Sequence, residues 1–152
     1  MPQLFFTENS SGRLSLKVLI GAIFVIASVA IFQIATYHGI GILPDSTRYM
    51  RLVETPYDAP LYTWLLDAFR LTDISVVAGA EFIGLILVAA NTLLIWLILA
   101  RATSSAAAAI GTAIVITSPQ FVGFHTVAMS EPLFIGLMLV TAVLFCAYLQ
   151  AK

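Results

Sequence analysis

Charge is scarce in this chain: 10% of its 152 residues are Asp, Glu, Lys or Arg and 61% are hydrophobic, where an ordinary soluble domain carries about 25% charged residues. That shortage excludes most water-soluble enzymes. Seven Lys and Arg stand against eight Asp and Glu, for a formal net charge of −1. No basic surface is therefore available to hold a nucleic-acid backbone through counterion release, and nucleic acid is not an expected partner. Cysteine is nearly absent. The single thiol, Cys146, lies in an apolar run, which rules out an internal disulfide and leaves too few thiols for a zinc cluster. What the chain has instead is a mean hydropathy of +1.02, so most of it is expected to meet lipid.

A charge at the bilayer centre is costly, so the uncharged runs map the spans. Val18 to Pro44 is 27 residues without Asp, Glu, Lys or Arg, Phe82 to Ala100 is 19, Ala102 to Ser130 is 29 and Pro132 to Ala151 is 20. About 20 residues of helix cross a hydrocarbon core of about 30 Å. The expected fold is an all-α, polytopic membrane protein with four transmembrane helices and two short amphipathic interfacial helices in its first outer loop. Its organisation reads as a cytoplasmic N-terminus (1–15), a first span (16–42), an outer loop (43–74), a second span (75–100) and a third span (104–122). An outer turn (123–130) and a fourth span (131–150) follow, with a probable truncation after 152. The first run exceeds the roughly 7–15 apolar residues of a signal peptide, which favours an uncleaved anchor. Small residues recur on the spans, at Gly21, Gly79, Gly111 and Gly136 among others, as close helix packing in lipid requires.

Arg13 and Lys17 precede the first span, and Arg101 lies in the turn between the second and third, which puts the N-terminus in the cytoplasm and the 43–74 loop on the outer face of the cell membrane. On that topology seven of the eight acids face outward: Asp45, Glu54, Asp58, Asp67, Asp73, Glu81 and Glu131. Such a face suits cations, protons or hydroxyl-bearing ligands. Within the loop, Pro44-Asp45-Ser46 reads as a helix start with Asp45 as N-cap, and Tyr49, Leu52 and Val53 share one face. Pro60 opens a second helix whose Leu61, Tyr62, Trp64, Leu65, Ala68 and Phe69 suit the membrane interface.

Each polar residue also has a structural reading. Asp45 serves as a cap, and Glu131 complements the positive end of a helix dipole. Arg48 and Arg51 neutralise Asp45 and Glu54 at helical spacing. His125 makes an interfacial hydrogen bond from a short outer turn, and Glu81 snorkels. The functional reading has Asp45 and Glu131 converge at the same membrane level. There they share a divalent metal, Mg or Mn, through oxygen ligands, or one of them takes a proton from an attacking hydroxyl.

The ordered set Pro44-Asp45-Ser46-Thr47-Arg48-Tyr49, Ala59-Pro60-Leu61-Tyr62-Thr63-Trp64-Leu65-Leu66, Ser118-Pro119 and Met129-Ser130-Glu131-Pro132-Leu133-Phe134 resembles the N-terminal part of GT-C glycosyltransferases. The branch with protein O-mannosyltransferases and the bacterial lipid A aminoarabinose transferase is the most similar. The resemblance covers the chain from the first span onward. It implies transfer of a sugar from a polyprenyl-phosphate-linked donor in the membrane lipid to a hydroxyl-bearing acceptor (protein, lipid or glycan) on the outer face, usually with inversion. Asp45 matches the catalytic acid after the first span, as candidate general base. Glu131 matches a second acidic position and would assist catalysis, position substrate or bind metal. Arg48, Arg51 or Tyr57 would contact the donor phosphate, with His125 a further candidate substrate-binding residue. The chain departs from the family at Ala59, where many members have proline, and at Ser46, where several have an acid. Family members also have many more spans. Two rival readings are a non-catalytic four-helix subunit or scaffold, and a transporter fragment in which Glu81 and Asn91 line a cavity.

Overall fold

The computed structural model describes residues 10–52 and 60–150. Glu54, Tyr57 and Asp58 fall outside the described residues. Seven helices are found among the described residues: α1 (Ser10–Ala35), α2 (Pro44–Tyr49), α3 (Pro60–Phe69), α4 (Val76–Ala102), α5 (Ser105–Thr117), α6 (Pro119–His125) and α7 (Glu131–Gln150). Three segments are long and apolar enough to cross a membrane: Leu16–Ala35, Val76–Ala102 and Glu131–Leu149. The bent pair α5 and α6 makes a fourth if taken as one span.

Helix α4 is the centre of the bundle, and its ends follow from local chemistry. Ser75 caps its start by accepting from the Ala78 N–H at 3.2 Å. Thr103, in extended backbone, stops it, and Ser104 then caps α5 by accepting from the Ala107 N–H at 3.3 Å. Helix α1 runs antiparallel to α4. At one end the Lys17 ammonium donates to the Ala100 carbonyl at 3.3 Å, and the Trp96 indole N–H donates to the Lys17 carbonyl at 3.1 Å. Gly21 lets the indole approach, since a Cβ there would come 2.7 Å from Trp96 Cδ1. Toward the other end Phe32 packs into Gly84. The small residues expected at helix contacts thus sit against the bulkiest neighbours.

The third expected span is not one straight helix. Pro119 has no N–H for the ladder, and its ring excludes the carbonyl one turn back. Ser118 therefore turns to extended backbone and caps a new helix, its hydroxyl accepting from the Phe121 N–H at 3.2 Å. The axes of α5 and α6 differ by 58°. Residues 123–125, expected in a turn, complete α6.

Two short helices, α2 and α3, lie in the segment between α1 and α4, with caps and limits that differ from the expected ones. Pro44 takes the first helical position, so the cap falls one residue earlier than expected. Leu43 is the N-cap residue, and its N–H donates to the Ser46 hydroxyl at 3.0 Å. Asp45 is inside the first turn. Helix α2 also ends earlier than the apolar pattern suggests. The Leu52 N–H returns to the Thr47 carbonyl at 2.8 Å and the Arg51 N–H to the Arg48 carbonyl at 2.9 Å, a Schellman closure with Arg51 at left-handed φ 49°. Leu52 is exposed, while Tyr49 and Met50 are buried. In α3, Tyr62, Thr63 and Leu66 are buried, and Leu61, Trp64 and Leu65 face outward. The Phe69 ring at its end lies on Gly79 of α4.

Candidate functional site

The end of the bundle that carries α2 and α3 holds the acidic residues. There the chain leaving α1 is joined to the chain entering α7 by a short parallel bridge. The Gly41 N–H donates to the Thr126 carbonyl at 2.8 Å, and the Ala128 N–H donates to the Gly41 carbonyl at 2.9 Å. A Cβ on Gly41 would come 3.0 Å from Val127 Cγ2, so the approach needs a residue without one. The bridge fixes the first residues of α2 and α7 to one scaffold.

Beside it, Tyr49 of α2 and Tyr62 of α3 pack edge to face with centroids 5.6 Å apart. The Ser130 hydroxyl lies 3.4 Å from the Tyr49 hydroxyl, which links α2 to the start of α7. Glu131 is the first residue of α7, where the helix dipole favours a carboxylate. Its Oε2 is buried and has no hydrogen-bond partner among the described residues. Burial is the larger cause that pushes the Tyr62 phenol well above the ordinary tyrosine range, followed by the negative charge of Glu131 and then by Tyr49. Tyr62 therefore stays a neutral hydroxyl next to an unsatisfied carboxylate.

Asp45 occupies a more open position. Its side chain is 46% exposed and pairs with Arg48 one turn on. Arg51 reaches across to Asp67 of α3 at 2.5 Å, and Arg70 Nε lies 3.2 Å from the other Asp67 oxygen. Arg70 also donates to the Met50 carbonyl. Asp67 thus draws α2 and α3 together between two guanidinium groups. Of the expected substrate-binding residues, Arg48 and Arg51 belong to this ion-paired surface, and Tyr57 lies outside the described residues. Among the described residues no three His, Cys, Asp or Glu side chains gather as a metal site.

His125 lies elsewhere. It closes α6, fully buried, rather than standing in an exposed turn. Its Nδ1 is 2.7 Å from the Phe121 carbonyl and its Nε2 is 2.9 Å from Asn91 Nδ2. The Asn91 amide nitrogen also donates to the Pro132 carbonyl at 2.9 Å, which fixes the amide orientation. Nε2 is then an acceptor and Nδ1 carries the proton, the neutral tautomer. Glu81 and Asn91 do not share a cavity: Asn91 is sealed among α4, α6 and α7, and Glu81 borders a lateral groove with Gln33.

Several participants were not singled out as site residues from the sequence: Tyr49, Tyr62, Ser130, Asp67 and Arg70. Their partners on other elements lie 13 to 81 positions away, and local patterning carries no signal for such pairings. Asn91 did carry one, as a polar residue inside a spanning helix. Compared with protein-family models, curated proteins and solved structures, the chain matches none.

Proposed function

We propose that this chain supplies the carboxylate-bearing lip of a membrane glycosyltransferase of the GT-C type, as its N-terminal portion. It would move a sugar from a polyprenyl-phosphate-linked donor to a hydroxyl of a protein, lipid or glycan acceptor. The N-terminus would be cytoplasmic, with the 43–74 loop on the outer face of the cell membrane and α2 and α3 in its interface. The bent pair α5 and α6 would be the fourth span.

The observation that carries this reading is Glu131 Oε2, a buried carboxylate oxygen left without a hydrogen-bond donor beside two tyrosines. Buried polar atoms are nearly always satisfied, and an exception calls for a partner such as water, an ion or a ligand. A hydroxyl-rich ligand brings the missing donor. Asp45, half exposed and oriented by Arg48, is the group open to an incoming acceptor. In the proposed reaction Asp45 takes the acceptor's hydroxyl proton as that oxygen bonds to the anomeric carbon. The bond from that carbon to the phosphate oxygen breaks, and polyprenyl phosphate leaves with its electron pair. Glu131 holds sugar hydroxyls, and Arg48 or Arg51 offers a fork to the phosphate. Asp45 and Glu131 are the carboxylates that would hold a divalent ion, Mg or Mn, which would supply positive charge to the leaving phosphate.

The test is Glu131→Gln with donor of known sugar in membranes containing the protein. The expected result is a rise in donor KM and a fall in transfer of about tenfold or more, the scale of one lost charge-assisted hydrogen bond. Unchanged transfer removes the basis of the assignment.

A second reading is favoured by the Arg51, Asp67 and Arg70 cluster, whose charges are used to hold α2 against α3. On it, the chain is a non-catalytic membrane subunit. Loss of assembly rather than transfer in Asp67→Asn would mark that role.

A further inference from the structure

A second polar site lies on the side of the bundle. Gln33, two residues before the end of α1, and Glu81, the sixth residue of α4, face a groove of about 220 Å³ whose other walls are Ala78, Phe82 and Leu85. Neither Glu81 nor Gln33 has an ion-pair or hydrogen-bond partner among the described residues. The groove is not part of the Tyr49, Tyr62 and Glu131 cluster, and no residue of that cluster lines it.

Depth and chemistry narrow the occupant. Helix α4 has 27 residues, about 40 Å of helix against a hydrocarbon core of about 30 Å. Its sixth residue is therefore at the level where lipid headgroups meet acyl chains. Glu81 is half-buried at that level and has no counter-charge among the described residues. Gln33 contributes a carbonyl oxygen, a second acceptor for N–H groups. Phe82 and Leu85 form apolar walls suited to methylene groups. At about 220 Å³ the groove is smaller than a drug-sized site of roughly 300–1,000 Å³. It fits a small headgroup and the first carbons of a chain, and a protein helix of about 10 Å diameter does not enter it.

We propose that this groove binds the primary ammonium headgroup of a membrane lipid. The N–H groups are donated to the Glu81 carboxylate and the Gln33 carbonyl, with the lipid arriving sideways from the bilayer. The inference does not rest on glycosyl transfer, and its readout is lipid retention alone.

The experiment places the full chain in bilayer nanodiscs of equal phosphatidylethanolamine and phosphatidylcholine, and counts lipids retained by native mass spectrometry. The two lipids share net charge and phosphate, and only the first donates N–H. Expected is a preference for phosphatidylethanolamine of about threefold to fivefold, the size of a partly exposed ion pair. The preference is abolished in Glu81→Gln and reduced in Gln33→Leu, with helical content by circular dichroism unchanged. Equal retention of the two lipids, or a preference that survives Glu81→Gln, overturns the proposal. So does a second protein copy crosslinking through a cysteine placed at Phe82.

Discussion

The side-chain nitrogen of Asn91 lies 2.9 Å from Nε2 of His125, and the same amide donates to the Pro132 carbonyl at 2.9 Å. One residue in the middle of α4 thereby ties down the broken helix α6 and the first turn of α7. Helix α7 is largely uncovered by protein along its length, and this polar clasp joins its start to α4.

Replacing Asn91 with Leu leaves His125 Nε2 without a donor and removes the extra hydrogen bond to the Pro132 carbonyl, which the ladder of α7 also satisfies. Such a loss costs about 1–3 kcal/mol for a buried group in water-soluble proteins, and measured couplings within membranes average about 0.6 kcal/mol. The expected destabilisation of Asn91→Leu is therefore about 1–2 kcal/mol. Unfolding by mixed-micelle titration measures it, and no loss of stability would show that the clasp is energetically idle.

Gly136 faces the same amide, and a Cβ there would come 2.8 Å from Asn91 Oδ1. Gly136→Ala is expected to cost about 1–3 kcal/mol through overpacking. Combined with Asn91→Ser, which shortens the side chain, the two changes should cost less than their sum. Strict additivity in that double-mutant cycle would contradict the contact.

Arg51 holds left-handed backbone at φ 49° while its side chain pairs with Asp67. Arg51→Ala and Arg51→Gly both delete the side-chain contacts, but only glycine relieves the backbone. The glycine variant is expected to be the more stable by about 1 kcal/mol. Amide hydrogen exchange over α2 reads the difference.

Tyr62 should ionise well above the ordinary tyrosine range. Its pKa is raised in the folded state, so the fold keeps a proton that the unfolded chain releases near pH 10. The associated stability is fully present below pH 10 and is lost as pH rises beyond it. Absorbance titration at alkaline pH is expected to show one late step, coincident with loosening of α3 and absent in Tyr62→Phe. Absence of a late step removed by Tyr62→Phe would contradict the buried placement.

Much of this was legible in the sequence. The limits of α4 and the start of α5 follow from Ser75 and Ser104, residues whose hydroxyls replace the missing ladder partners. The start of α3 at Pro60 follows from a residue with no N–H to satisfy and a fixed helical φ. Where two local signals competed, the reading slipped. Pro44 and Asp45 both mark a helix start, and Pro44, with no N–H to satisfy, moved the cap to Leu43. At Ser118-Pro119 the apolar composition continues through the break, so hydropathy read one span where backbone chemistry makes two helices. The meeting of Tyr49, Tyr62 and Glu131 was beyond reach, because it depends on how α2 and α3 pack beside α4 and the start of α7 and not on any spacing along the chain.

In the proposed reaction Asp45 acts as the base of sugar transfer. The most direct measurement is the transfer rate from a polyprenyl-phosphate-linked sugar in membranes carrying Asp45→Asn, with donor binding followed separately. Asparagine keeps the size of the side chain and removes its basicity. The account predicts a rate lower by about 10²–10⁴-fold, the usual contribution of a general base, with donor binding retained. Transfer at the unaltered rate would contradict it.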